Sequence, residues 1–339
     1  MRSLHEAIRI RMPQVERLLS GGALAALTGA WMHSNPAYPP YWDTAAAILI
    51  TLLGMWSPLG AWWLAGLAAL YGVYQISFYL AVLGLCVLIL AQKPAARHLG
   101  AAAIILGSPF LARWHLGWAA PLFGGVYLGV SGGLWTGALT ALWGETLAAL
   151  HGYAPDFLLF AAQPWDVSVV TARFAGLGSW RTLAALGMPF APNPTALLYY
   201  VLQIALWGAA GALTGRWLQA NPKGGRPSGV LLAALGGAVS LGILQGAVAL
   251  WLGQHPKAWF VPHAALLLFP MLLSPLAVTW LEILRDFFSR PLPVSPRKAS
   301  PPAAQRPAPL PPDLRRAFPE TSPPEKDDDE DDLIMLELD

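Results

Sequence analysis

The sequence predicts an all-α fold, a polytopic bundle of transmembrane helices with a disordered cytoplasmic C-terminal tail. Hydrophobic residues occupy 55% of the 339 positions and charged residues only 12%, too few to cover the surface of a soluble domain. Apolar stretches recur between Leu18 and Leu284, and a membrane-crossing helix needs about 20 such residues. Sixteen Trp and 33 Gly favour the same class, because Trp prefers the membrane interface and Gly permits close helix contact in lipid.

The apolar stretches predict eight crossings, of which the early ones are short. They lie near Leu18–Trp31, Thr44–Trp56, Gly60–Tyr74, Ser77–Gln92, Pro121–Glu145, Thr195–Leu213, Gly229–Leu252 and Pro262–Leu284. A ninth apolar segment, Leu99–Leu111, is only about 20 Å long as a helix, and we interpret it as re-entrant or interfacial. The alternative is ten crossings, with Pro121–Leu150 split into a hairpin.

Basic residues set the predicted orientation, because Lys and Arg are retained in cytoplasmic loops. They collect before the first crossing, after the fourth, after the sixth and after the last, at Arg2, Arg9, Arg11, Arg17, Lys93, Arg97, Arg216, Lys223, Arg226, Arg285 and Arg290. An even number of crossings therefore separates these clusters. The prediction is a protein of the cytoplasmic (plasma) membrane with both termini in the cytoplasm.

Composition divides the chain into four regions. Residues 1–17 form an amphipathic cytoplasmic lead-in, 18–284 the transmembrane domain, 285–326 a Pro-rich basic linker, and 327–339 an acidic and apolar terminal motif. Within the membrane domain, 151–194 is predicted to be an external amphipathic loop. It is interpreted either as a lid or docking surface or as a simple solvated connection.

Glycine recurs at every fourth residue of the fifth predicted crossing. Gly125, Gly129, Gly133 and Gly137 are followed on the same helical ridge by Ala141 and Glu145. Residues without bulky side chains let a neighbouring backbone approach, so the ridge predicts a helix-packing seam. A cavity lining is the alternative.

Three polar residues inside predicted crossings are the candidate substrate or pathway residues: Glu145, Gln203 and Gln245. A carboxyl group is costly to bury in hydrocarbon, and such groups face the bundle interior or mark a pathway. Snorkelling to the outer interface is the equal alternative for Glu145. The two amides are expected to hydrogen-bond across helices, with substrate contact as the second interpretation.

Two resemblances are carried by short pieces of this helix. Gly129-Val130-Ser131-Gly132 resembles the Gly-x-Ser-Gly nucleophile motif of rhomboid intramembrane proteases. That chemistry requires a histidine from another helix, and His263 is the candidate. The glycine-rich segment is also similar to the small-residue segment of the substrate-capture components of energy-coupling-factor vitamin transporters.

The sequence contains no motif for other classes of functional site. The single cysteine, Cys86, excludes an internal disulfide and a cysteine metal cluster. We expect no metal, no cofactor and no catalytic residue, and a net charge of +2 predicts no nucleic-acid partner.

The chain end combines an acidic run with four apolar residues. Asp327–Asp332 is followed by Leu333, Ile334, Met335 and Leu336. The acidic run is repelled by a membrane surface, whereas the apolar residues need cover. The candidate partner-binding residues are Asp331, Asp332, Leu333, Ile334, Met335 and Leu336, which predict docking on a soluble protein. A solubilising acidic tail is the alternative.

From the sequence, the favoured function is a non-enzymatic membrane subunit or scaffold. Its expected partners are the lipid bilayer, other membrane proteins, and a cytoplasmic protein recruited by the tail. The alternative is a small-molecule transporter or substrate-capture component with a mid-membrane site around Glu145. A remote alternative is an intramembrane serine protease using Ser131.

Overall fold

The computed structural model describes residues 10–152, 166–221, 226–251 and 256–289, with side chains from residue 264 onward in the last range. These ranges belong to one compact unit, Met1–Pro291. The second unit, Leu292–Asp339, lies outside the described residues, as do most of the predicted linker and the whole terminal motif.

The described residues form eleven α-helices and no β-strand. The helices are α1 (Met12–Ser34), α2 (Trp42–Trp56), α3 (Pro58–Ile76), α4 (Phe78–Arg97), α5 (Leu99–Ala112), α6 (Ala119–His151), α7 (Val167–Phe174), α8 (Ser179–Gly187), α9 (Pro194–Ala220), α10 (Pro227–Trp251) and α11 (Pro256–Ser289). Six of these, α3, α4, α6, α9, α10 and the Ala264–Ser289 part of α11, are long and apolar enough to cross a membrane. The described part of the chain is therefore all-helical with the character of a multi-pass membrane protein, whereas the predicted count of eight crossings is not confirmed.

Helices α1 to α5 build the N-terminal half of the bundle around one buried apolar cluster. Gly21 of α1 and Gly54 of α2 lie so close that a Cβ on Gly54 would be 2.7 Å from the Cα of Gly21. Single residues, Ser57, Ser77 and His98, separate the successive helices from α2 to α5. Short connections of this kind make neighbouring helices pack antiparallel.

Helix α6 reverses direction at Gly129. This residue has φ 72° and ψ −164°, a backbone conformation that is essentially restricted to glycine. A Cβ on Gly124 would lie 2.5 Å from the Cβ of Thr136, although residues twelve apart in a straight helix are about 18 Å apart. Residues 119–128 therefore fold back along residues 130–151 as a helical hairpin.

Both arms of this hairpin pack against α9, in the most extensive helix contact of the structure. A Cβ on Gly125 or on Gly133 would collide with the carbonyl oxygen of Gly211, and one on Gly137 with that of Trp207. Backbones can approach this closely only where side chains are missing.

The expected single ridge of glycines is thus corrected by the turn at Gly129. Gly125 lies on one arm, whereas Gly133, Gly137 and Ala141 lie on the other. The four-residue spacing predicts one continuous helix, but glycine also permits the positive φ that ends a helix. A hairpin within Pro121–Leu150 is the feature that distinguishes the ten-crossing alternative.

Helix α5 runs parallel to α1, next to which it packs. Gly100 faces Ser20 and Gly107 faces Leu27, in matching order along the two helices. At 14 residues α5 is about 21 Å long, and the 119–128 arm is shorter still. Each is shorter than the hydrocarbon core of about 30 Å, so both remain compatible with a re-entrant excursion.

The first and last helices meet at one end of the bundle. The guanidinium of Arg285 lies 3.5 Å from the Glu16 carboxylate and 3.8 Å from that of Glu282. It also lies over the ring of Tyr127, 5.4 Å from its centroid. This cluster joins the start of α1 and the end of α11 to the α6 hairpin.

The contact of α6 with α9 predicts opposite effects for two glycine-to-alanine substitutions. Gly137→Ala should lower the free energy of unfolding by about 1–3 kcal/mol, because the new methyl group meets backbone that cannot move freely. Gly22→Ala is the matched control, since a Cβ there meets nothing within 4 Å, and it should raise stability by about 0.4–1 kcal/mol. Thermal unfolding in detergent would measure both, and equal effects would contradict the packing described.

Candidate functional site

A cavity of about 740 Å³ lies between the N-terminal half and the α6–α9 pair. Residues from α1, α3, α4, α5, α6 and α9 line it, and Val170 of α7 and Leu186 of α8 close one part. Cavities of roughly 300–1,000 Å³ are typical of small-molecule sites. The cavity is therefore large enough for a ligand of drug-like size.

Most of the cavity wall is aliphatic or aromatic. Three tryptophans in it, Trp31, Trp62 and Trp143, donate their indole N–H groups to backbone carbonyl oxygens of other helices, each at 3.2 Å. The bond from Trp143 to Leu106 joins α6 to α5. Because their polar atoms are paired, these rings contribute apolar surface to the wall.

Glu145 is the buried acidic residue of the wall. It lies on the 130–151 arm, it is one of the residues that line the cavity, and only 1% of its surface is exposed. Neither carboxyl oxygen has a hydrogen-bond partner among the described residues. The carboxyl group is thus enclosed by protein and does not reach the interface, as a snorkelling side chain would.

Gln203 of α9 lines the same cavity and is 2% exposed. Its side-chain amide donates a hydrogen bond to the hydroxyl of Tyr199, four residues earlier. Tyr200, the next residue, also lines the cavity, as Glu145 does. The α6–α9 contact therefore brings two predicted residues together with two tyrosines.

Gln245 of α10 does not line this cavity. It is 2% exposed and borders a much smaller gap, together with Tyr199, Gln203, Leu206 and Val248. Neither end of its amide has a partner within the described part of the chain. Gln203 borders both spaces, so the three predicted residues follow one another from α6 through α9 to α10.

Sequence reasoning missed the two tyrosines, although a signal was present. Tyr199 and Gln203 are four residues apart, which places them on one face of α9. Tyrosines also occur at membrane interfaces. The sequence alone therefore does not tell whether two adjacent tyrosines are buried or lie at the interface.

The segment after α6 covers one end of the cavity with two short helices. Val170 and Phe174 of α7 are buried with Ile76 and Leu80, at the junction of α3 and α4. Both helices belong to the predicted 151–194 loop. The structure describes residues 166–194 of that loop, and residues 153–165 lie outside the described residues.

Arg173 connects α7 to the C-terminal ends of α6 and α8. Its guanidinium donates to the carbonyl oxygens of Ala149 and Leu150 in α6 and of Ala185 in α8. A cation is favourable at a helix C-terminus, where carbonyl groups lack helical partners. Partial burial lowers the pKa of Arg173, yet an arginine stays charged at any ordinary pH.

His151 and Asp166 join α6 to the start of α7. Nδ1 of His151 lies 2.9 Å from the carbonyl oxygen of Leu147, so it carries the proton and donates, and Nε2 accepts from the backbone N–H of Asp166. Asp166 caps α7 by accepting from the N–H and the hydroxyl of Ser168. These bonds hold the pKa of Asp166 below its usual value of 3.8.

Ser131 lies far from His151, the described histidine of its own helix. It is exposed and lies two residues after the turn at Gly129, whereas His151 lies 20 residues further on, roughly 30 Å along the helix. The side chain of His263, the candidate base, is outside the described residues. The protease interpretation therefore stays an untested prediction.

Metal-ligand geometry is absent from the described ranges, in which no three His, Cys, Asp or Glu side chains come together. The predicted partner-binding residues, Asp331 to Leu336, lie beyond those ranges.

No protein-family model matches the chain, and no curated protein or solved structure matches it either. The helices and their apolar composition define it as a multi-pass membrane protein.

The cap of α7 predicts a pH response with a defined sign. Because the folded pKa of Asp166 is lowered, its stabilisation of α7 is complete above the unfolded pKa near 3.8 and is lost as pH falls through the folded value. Amide hydrogen exchange of residues 167–174 should therefore show the same protection at pH 7 and pH 5.

The matched variants are Asp166→Ala and Asp166→Asn. The alanine variant should exchange several-fold faster at both pH values, whereas asparagine, itself a good N-cap, should stay close to the parent. A lower protection factor in the parent at pH 5 than at pH 7 would contradict the assignment.

Proposed function

We propose that this membrane protein captures a small molecule in the cavity beside Glu145. The observation that carries the proposal is a carboxyl group without a partner in the described residues, in the wall of a cavity of about 740 Å³. Proteins rarely leave a buried polar group unpaired, because its desolvation is costly. A bound ligand would supply the missing partner.

The surroundings of Glu145 support capture and offer little to a chemical reaction. Tyr199, Tyr200 and Gln203 provide hydroxyl and amide groups for recognition, while the remainder of the wall is mostly apolar. This combination of apolar lining and few polar groups is typical of small-molecule sites. Helices α7 and α8 would act as the cover of the site.

The cavity reverses the order of the two interpretations favoured by the sequence. A scaffold needs no internal space, whereas a substrate-capture component does. The protein would act in the plasma membrane with both termini cytoplasmic, as the basic residues indicate.

Filling the cavity should abolish capture. Ala148 lines the cavity, so Ala148→Phe would occupy part of the space and displace the ligand. Small molecules co-purifying with the protein in lipid nanodiscs would be extracted and identified by mass spectrometry. We expect at least one compound to be enriched in the parent at least about tenfold over this variant, a loss of about 1.4 kcal/mol in binding free energy.

Ala26→Phe is the matched control, because Ala26 is exposed and does not line the cavity. It should retain the compound, and both variants should elute as monodisperse peaks. The same compounds in equal amounts in all three preparations would refute the capture function.

The tail supports a second candidate function, recruitment of a soluble partner. Four consecutive apolar residues after an acidic run are poorly explained by solubility alone. We propose that Leu333–Leu336 is the anchor and that the acidic run favours a basic groove.

Replacing Leu333–Leu336 by serine should abolish co-purification of the partner and leave the membrane domain intact. Replacing Asp327–Asp332 by asparagine should weaken the interaction mainly at low salt, because exposed charges are screened at high salt. Quantitative affinity purification would measure both. A partner that remains bound to the serine variant would exclude the anchor.

A further inference from the structure

We propose that the molecule captured in this cavity is an organic amine with an apolar body, bound by its ammonium group at Glu145. This inference rests on the proposed capture function and names its ligand class. It follows from three features of the cavity: its buried carboxyl group, its buried phenol and its apolar remainder.

The carboxyl group needs a positive counterpart or a proton. No ion pair to Glu145 exists within the described residues, and both its oxygens are shielded from solvent without hydrogen bonds. An unpaired carboxylate in a low-dielectric interior costs several kcal/mol as an order of magnitude. An ammonium group in the cavity offsets this cost, because it brings a charge and up to three N–H donors.

Tyr200 supplies a second acceptor close to the same place. Its hydroxyl is buried and has no partner in the described part of the chain, and Tyr200 lines the same cavity as Glu145. An ammonium group bonded to the carboxylate can donate another hydrogen to this hydroxyl oxygen. A single amine thus satisfies groups on α6 and on α9.

Other charged groups of the lining do not compete for this role. Arg113 lines the cavity at an exposed position, where water solvates its charge. His151 has both ring nitrogens engaged, with Leu147 and Asp166. The buried carboxyl group of Glu145 is therefore the acidic group available to a ligand in the described lining.

The apolar wall selects the remainder of the ligand. Leu24, Leu70, Leu83 and Leu106 line the cavity together with the three tryptophans whose indole N–H groups are already paired. A strongly hydrated ligand, such as an inorganic cation, would lose its water there without replacement. Burying aliphatic or aryl groups instead gains about 25 cal/mol per Å².

The test compares matched amines, alcohols and carboxylic acids on the full-length protein in nanodiscs. Three series share their apolar bodies: 4-phenylbutyl, 2-naphthylmethyl and n-decyl. Equilibrium dialysis measures binding, and empty nanodiscs correct for partition into lipid. We expect at least one amine to bind at least tenfold more tightly than its alcohol, and the corresponding acid to bind least.

Two carboxyl variants locate the preference. Glu145→Gln should reduce the amine-to-alcohol ratio to about one and retain alcohol binding. Glu282→Gln removes a carboxyl group that does not line the cavity and should keep the full ratio. Thermal unfolding of both variants verifies that each remains folded.

The outcomes separate this inference from the capture function. Equal binding of amine and alcohol, or tighter binding of the acid, overturns the ligand class while leaving capture intact, provided that Ala148→Phe abolishes it. An amine preference that survives Glu145→Gln also overturns the inference. If no compound binds in any series, both proposals fail.

Discussion

The close contact of α6 with α9 determines where Glu145, Tyr199, Tyr200 and Gln203 lie in the cavity wall. Gly133, Gly137 and Gly211 remove the side chains that would otherwise separate the two backbones. In lipid, apolar surface gains nothing by leaving the solvent, so helices associate mainly through tight packing and interhelical hydrogen bonds. The glycines make that packing possible, and the contact places Glu145 in the same cavity wall as the tyrosines and Gln203 of α9.

The turn at Gly129 extends the same contact to a second helix arm. Because the chain reverses there, residues 119–128 also pack on α9 and fill space within the C-terminal half, where Leu122 is fully buried. The N-terminal half has its own apolar cluster. The cavity lies where these two packed regions meet, and the α7–α8 cover is held by Arg173 at helix ends that would otherwise leave carbonyl groups unpaired.

The candidate site combines a favourable apolar wall with one costly group. A buried carboxyl group is destabilising unless it is protonated or paired, and a bundle built only for stability gains by replacing it. Tyr200 and Gln245 add further buried atoms without partners among the described residues. Such concentrations of unsatisfied groups in a packed interior are where function offsets a cost in stability.

The sequence by itself determined the membrane class, the all-helical content and the approximate place of the long helices, because hydrocarbon forces backbone groups to pair within helices and leaves long apolar segments in the chain. It also singled out Glu145, since an acidic residue that stands alone among apolar residues can be recognised from the sequence. Tertiary structure decided the rest. Gly129 has the same side chain as Gly133, yet one ends a helix arm and the other packs against α9, a difference set by backbone geometry and contact. The tyrosines and Gln203 that line the same cavity as Glu145 come from a helix more than 50 residues away, and local periodicity carries no information about which distant helix will face it.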